Sequence, residues 1–156
     1  MEGWAGKYLD IDLSSGKIVS HPLDMEMARL FLGGRGLGAR LLWDLVGPEV
    51  EPLSEANVLI FCTGPLTASG LQTTNRFTVT TKSPLTGTVC DSNSGGWWGM
   101  QLKRTGYDAL IVRGRAERRY RRTNSRLQRR TTSSSRVCNS GGRIAGTPAS
   151  LRWPGC

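Results

Sequence analysis

At 156 residues, 38% hydrophobic and 21% charged, the chain has room for one small core and not for several domains. Its net charge of +9 is unevenly placed: residues 1–112 carry nine Lys and Arg against eleven Asp and Glu, a net of −2, whereas residues 113–156 carry twelve Arg against Glu117, a net of +11. The longest aliphatic–aromatic run, at 58–62, is far short of a membrane span, and no basic-then-apolar leader opens the chain, so no membrane segment is expected.

Leu9, Ile11 and Leu13 alternate with Asp10 and Asp12, which predicts a half-buried strand. Ser14, Ser15 and Gly16 supply turn chemistry, and a second strand from Lys17 to Ser20 completes a hairpin. Asp24 is placed to cap a helix through Met27, Ala28, Leu30 and Phe31 that Gly33 and Gly34 end. A second helix is expected from about Leu37 to Leu45. A buried strand at 58–62 then empties into a Thr- and Gly-rich loop, and Phe77, Val79 and Thr81 mark the next strand. A short strand at 88–90 leads into a polar loop at 91–96, and a helix runs from there to about Thr105, closed by Gly106. A last strand covers 108–112. Strands outnumber helices and hairpins occur, so the fold class expected is α+β, β-rich with a few short helices.

The stretch from Cys90 to Gly99, taken with Asn75, Arg76 and Phe77, suits an anionic ligand. Helix-start amides and small residues let backbone approach phosphate oxygens, and an arginine fork supplies the counter-charge. A polar turn capping an ordinary helix uses the same Ser, Asn and Gly, so that alternative stays open. Residues 34–39 spell G-x-G-x-x-A, but a helical pattern rather than a strand precedes them. Punctuation between two helices is the reading adopted, with close approach to a ligand, Arg35 reaching out, as the alternative. Trp97 and Trp98 are read as core rather than as a stacking platform. His21, the lone histidine, has no metal or triad partner in the sequence, and Asp10, Asp12, Glu49, Glu51 and Glu55 read as solvated. Cys62 and Cys90 are expected to be reduced thiols of a cytoplasmic protein. No catalytic residue is assigned.

Every basic residue after Arg104 is Arg, and the segment has no helical or strand period. Its composition predicts disorder for residues 118–156. Arg clusters attract nucleic acid, so a small basic protein that binds nucleic acid through this tail is the alternative function. An out-of-frame translation of GC-rich DNA accounts better for a tail with Arg, Ser, Thr, Gly and Pro but no Lys.

Ordered blocks along the first part resemble the N-terminal domain of the aldehyde ferredoxin oxidoreductase family, the tungsten-pterin enzymes. They are GWAGK at 3–7, DLSSGK at 12–17, FLGGRGLGA at 31–39, CTGPLT at 62–67, NRF at 75–77, KSPLTG at 82–87, DSNSGG at 91–96 and GYDALIV at 106–112. The resemblance runs from about residue 3 to about 117, which sets the expected domain at 1–117. It implies oxidation of aldehydes to carboxylic acids, with electrons leaving through a [4Fe–4S] cluster to ferredoxin. The metal, tungsten or molybdenum, is held there by two pterins (a bis-molybdopterin) whose phosphates magnesium bridges. By motif position Arg76 would meet a pterin phosphate, the Asn93 backbone carbonyl would face the magnesium, and Ser94 and Gly95 would line the pterin. The family's cluster cysteines belong to later helical domains, and Cys138 and Cys156 sit in no matching motif. The chain is therefore expected to be a truncated or frameshifted cofactor-binding fragment without oxidoreductase activity of its own.

Overall fold

The computed structural model describes residues 3–116. The basic segment from residue 118, with the disorder, nucleic-acid and reading-frame expectations attached to it, lies outside the described residues. Two strands open the fold, β1 (Lys7–Asp12) and β2 (Lys17–Pro22), paired antiparallel. Asp12 shapes the turn between them: its carboxylate accepts the Ser14 N–H at 2.9 Å and the Ser15 hydroxyl at 2.9 Å, which holds its pKa below the usual value. Pro22 is tolerated because β2 is an edge strand. Helix α1 (Met25–Phe31) starts at Asp24, whose carboxylate accepts the Glu26 N–H at 2.9 Å.

Helix α2 (Gly34–Leu45) begins three residues earlier than its sequence suggests. The glycines at 34, 36 and 38 that look like punctuation lie inside the helix, and packing explains at least one of them. A Cβ at Gly38 would run into the Thr80 hydroxyl and stand 3.1 Å from Thr80 Cβ, so the missing side chain lets α2 lie close on the sheet. Strands β3 (Val58–Thr63), β4 (Phe77–Lys82) and β5 (Val89–Ser94) follow, then α3 (Trp97–Arg104) and β6 (Ala109–Arg113).

The α+β expectation holds: the six described strands join one mixed sheet in the order β2-β1-β6-β3-β4-β5. Only β1 and β6 pair in parallel, and every other neighbouring pair is antiparallel. One face carries Ile60, Cys62, Ala109 and Ile111 against Leu37, Leu41 and Leu42 of α2 and Ala28 of α1, and this is the core. On the other face α3 occupies the end near β3 and β4, where the Trp98 ring lies 5.1 Å from Phe61 and 4.5 Å from Phe77. Because β1 lies inside the sheet, Asp10 is not solvated as expected: its side chain is 12% exposed and meets Arg113 at 3.0 Å. His21 stacks on Tyr8 with ring centroids 5.2 Å apart.

Candidate functional site

The two sides of the candidate site come from the start of β4 and the junction between β5 and α3. Strand β5 reaches Ser94, so residues 91–94, expected as loop, are strand, and the glycine-rich turn shrinks to Gly95 and Gly96. Gly96 stands at φ +97, a conformation strained for any L side chain, and it brings the chain straight into α3 with no side-chain cap. The first-turn N–H groups of α3 are therefore left to solvent or to a ligand. Gly99 brings this helix against Arg76: a Cβ there would sit 3.4 Å from the Arg76 carbonyl oxygen and 3.3 Å from Phe77 Cβ.

Thr73, Asn75, Arg76, Gly95, Gly96 and Trp97 enclose a hollow of about 340 Å3. Arg76 is exposed, and no described residue pairs with its guanidinium. The loop before it is tied down from beneath. The buried Thr67 hydroxyl donates to the Arg76 carbonyl at 3.2 Å and accepts the Gly64 N–H at 3.2 Å, while Asn75 Oδ1 accepts the Ala68 N–H at 3.2 Å. Thr73 and Ala68 hold positive φ values of 64° and 65°, uncommon for residues with a Cβ. Neither Thr67 nor Thr73 was singled out from sequence. The sequence offered only a Thr- and Gly-rich loop after the strand at 58–62.

Sheet register decides what Asn93 presents. The Ser83 N–H bonds to the Thr88 carbonyl, and antiparallel pairs alternate between bonded and non-bonded. Stepping along the β4–β5 register makes Thr78 and Asn93 a non-bonded pair, so the Asn93 N–H and C=O turn away from β4. Strand β5 is an edge of the sheet, and the carbonyl therefore faces no other strand. The Asn93 side chain is held on the α2 face: its Oδ1 accepts from the Thr78 hydroxyl at 2.7 Å and its Nδ2 donates to Asp91 at 3.4 Å. Asp91 in turn takes Arg35 Nε at 2.8 Å, which tethers the start of α2 to β5. Arg35 is thus engaged with the protein, whereas no described residue pairs with the Arg76 guanidinium.

Of the residues singled out from sequence, Arg76 and Gly95 line one hollow. Asn93 and Ser94 adjoin it at the end of β5, both exposed. Neither tryptophan is core as expected: Trp98 packs one side on Phe61 and Phe77 but stays 41% exposed, and Trp97 is 75% exposed on the wall of the hollow. A larger hollow of about 500 Å3 opens between α2 and the β4–β5 turn, lined by Leu42, Trp43, Val46 and Val89 among others. Its one cation, Lys82, already donates to the Pro48 and Val50 carbonyls at 2.7 and 2.8 Å, so it offers an anion little. Among the described residues no group of three His, Cys, Asp or Glu side chains could hold a metal ion. No described helix is long and apolar enough to cross a membrane.

Residues 8–121 match the family described as aldehyde ferredoxin oxidoreductase, N-terminal domain. The chain belongs to this family. A tungsten-containing aldehyde ferredoxin oxidoreductase of Pyrococcus furiosus is 46% identical over 118 residues, covering 76% of this chain and 20% of that protein. One from Thermococcus kodakarensis is 41% identical over 118 residues, with the same coverage. The WOR-like subunit of an aliphatic sulfonate oxidoreductase of Pyrococcus furiosus is 38% identical over 122 residues, 75% of this chain and 19% of that one. Among solved structures, the active-site complex BamBC of benzoyl coenzyme A reductase, in complex with 1,5-dienoyl-CoA, superposes with a TM-score of 0.72 at 41% identity. The match covers 74% of this chain and 18% of that one. The chain spans about a fifth of the length of the curated relatives it matches.

Proposed function

We propose that this aldehyde ferredoxin oxidoreductase domain is a floor for a phosphate-bearing metal–pterin cofactor. The hollow beside Arg76 carries the reading: Arg76, whose guanidinium has no partner among the described residues, lines it together with Gly95 and Gly96 at the uncapped start of α3. These residues fit a pterin phosphate. Arg76 supplies a fork for two phosphate oxygens, and the α3 amides supply neutral donors with the favourable end of the helix dipole. The outward Asn93 carbonyl is a hard oxygen suited to magnesium, which takes few protein ligands and shares the rest with phosphate and water. Ser94 and Gly95 would lie along the pterin.

Several relatives are named as tungsten-containing, which favours a tungstopterin here. When bound, that group supplies the two-electron redox chemistry, while this chain anchors and orients it. In the whole protein the reaction would be aldehyde to carboxylic acid, with electrons passing through an iron–sulfur cluster to ferredoxin. Residues for that exit are not assigned to this chain.

The test is calorimetric titration of the 156-residue protein with magnesium pyrophosphate. Arg76→Ala should weaken binding about tenfold or more, the scale of one lost charge-assisted contact. The melting temperature should hold, because Arg76 is exposed. Equal affinities for wild type and Arg76→Ala would overturn the reading.

A further inference from the structure

We infer that Trp97 is the stacking wall for the planar ring of the ligand whose phosphate Arg76 receives. This rests on the anion reading above and extends it from the phosphate to the ring. Two adjacent tryptophans at the start of α3, both exposed, differ in their ring contacts. Trp98 is engaged with Phe61 and Phe77 at 5.1 and 4.5 Å. Trp97 is 75% exposed, and no described residue stacks on its ring or accepts from its indole N–H.

An exposed indole leaves a large apolar face in water, a cost that a ligand removes by covering it. The placement matters more than the exposure. Trp97 shares one hollow with Arg76, Gly95 and Gly96, so a π-face, a guanidinium and the helix-start amides border the same space. A molecule with a flat heterocycle at one end and a phosphate at the other can meet all three. Gly95 and Gly96 carry no side chain to intervene, and beyond its chain neighbours nothing lies within 4 Å of a Cβ built at Gly96. The hollow, about 340 Å3 and open to one side, is at the lower end of the range for small-molecule sites and has room for one ring system with its phosphate. The ligand class is a phosphorylated bicyclic heterocycle such as a pterin.

The test compares two probes that share a diphosphate and differ by the ring: 6-hydroxymethylpterin diphosphate and inorganic pyrophosphate, each with magnesium. Trp97→Ala should weaken the pterin probe about tenfold or more, in the range of an aromatic–base stack, and leave pyrophosphate within about twofold. Trp97→Phe, which keeps a π-face, should recover most of the loss. Equal weakening of both probes by Trp97→Ala would mean a damaged helix start, and the inference would fall. So would it if Trp97→Ala left both probes unchanged while Arg76→Ala weakened both, although the anion reading would then survive. Pterin binding that Arg76→Ala does not touch would remove the anion reading and this inference with it.

Discussion

Cys62 and Cys90 put the same thiol into opposite surroundings. Cys62 is fully buried in β3 beside Asp108, and desolvation, helped by that negative charge, pushes its pKa up to about 12. Cys90 is exposed on the edge strand. Iodoacetamide at pH 8 should therefore modify Cys90 and spare Cys62, as read by peptide mass mapping; rapid labelling of Cys62 in the folded protein would contradict this core. The same shift has a stability consequence. The folded state keeps its proton up to about 12, whereas the unfolded thiol releases it near its ordinary value of 9.0. This contribution is intact below pH 9 and declines as pH rises from there toward 12. Arg76 was legible at this scale because an arginine before an alternating strand, close to a glycine-rich turn, is readable without tertiary information. The outward turn of the Asn93 carbonyl was not, because it depends on hydrogen-bond parity across two strands rather than on side-chain type.

Among the elements, α2 shows where local rules mislead. Three glycines in five residues look like a break, since each costs helix stability relative to Ala by about 1 kcal/mol. Contact with the sheet overrides that preference, and the contact is absent from any local window. Gly38→Ala separates the two effects. Better helix propensity would add about 1 kcal/mol, but the new Cβ sits 3.1 Å from Thr80 Cβ, which a rotamer change cannot move. Overpacking of this kind costs about 1–3 kcal/mol, so the expected result is a net loss of stability in urea unfolding. A gain would show that α2 can lift off the sheet freely. Strand β5 makes the complementary point: the polar run Asp91-Ser92-Asn93-Ser94 has the composition of a loop, yet β4 recruits it by pairing. The hairpin and the strand at 58–62 were legible because their hydrophobic alternation or continuity is strong.

At the scale of the molecule, one buried ion pair ties together segments far apart in sequence. Lys103, near the end of α3, pairs with the fully buried Asp108 and donates to the Gly64 carbonyl at 3.2 Å. Asp108 also accepts the Ala5 and Gly6 N–H groups at 3.0 and 2.7 Å. Lys103→Met would strand a buried carboxylate and should cost about 3–5 kcal/mol, seen as a lower melting temperature. Adding Asp108→Asn should return part of the loss, and no loss in the single variant would count against the pair as a structural centre. Neither the burial of the pair nor the strand order could be read from sequence, because Asp108 takes the Ala5 and Gly6 N–H groups, and β1 pairs with β6, across about a hundred residues. What did carry across that distance was the order of the short blocks, and the family match extends from residue 8 to 121.

The Lys103–Asp108 pair also gives α3 a mechanical character. The helix is bolted at its C-terminal end and ends at Trp97 about 10 Å away, at 1.5 Å per residue. It behaves as a short beam held at both ends, by the charge pair at one and at the other by Trp98 and Gly99 packed on Phe61, Phe77 and Arg76, and its first turn forms a wall of the hollow. The steadiness with which Trp97 and the helix-start amides are held therefore depends in part on a charge pair at the far end of the helix, outside the hollow.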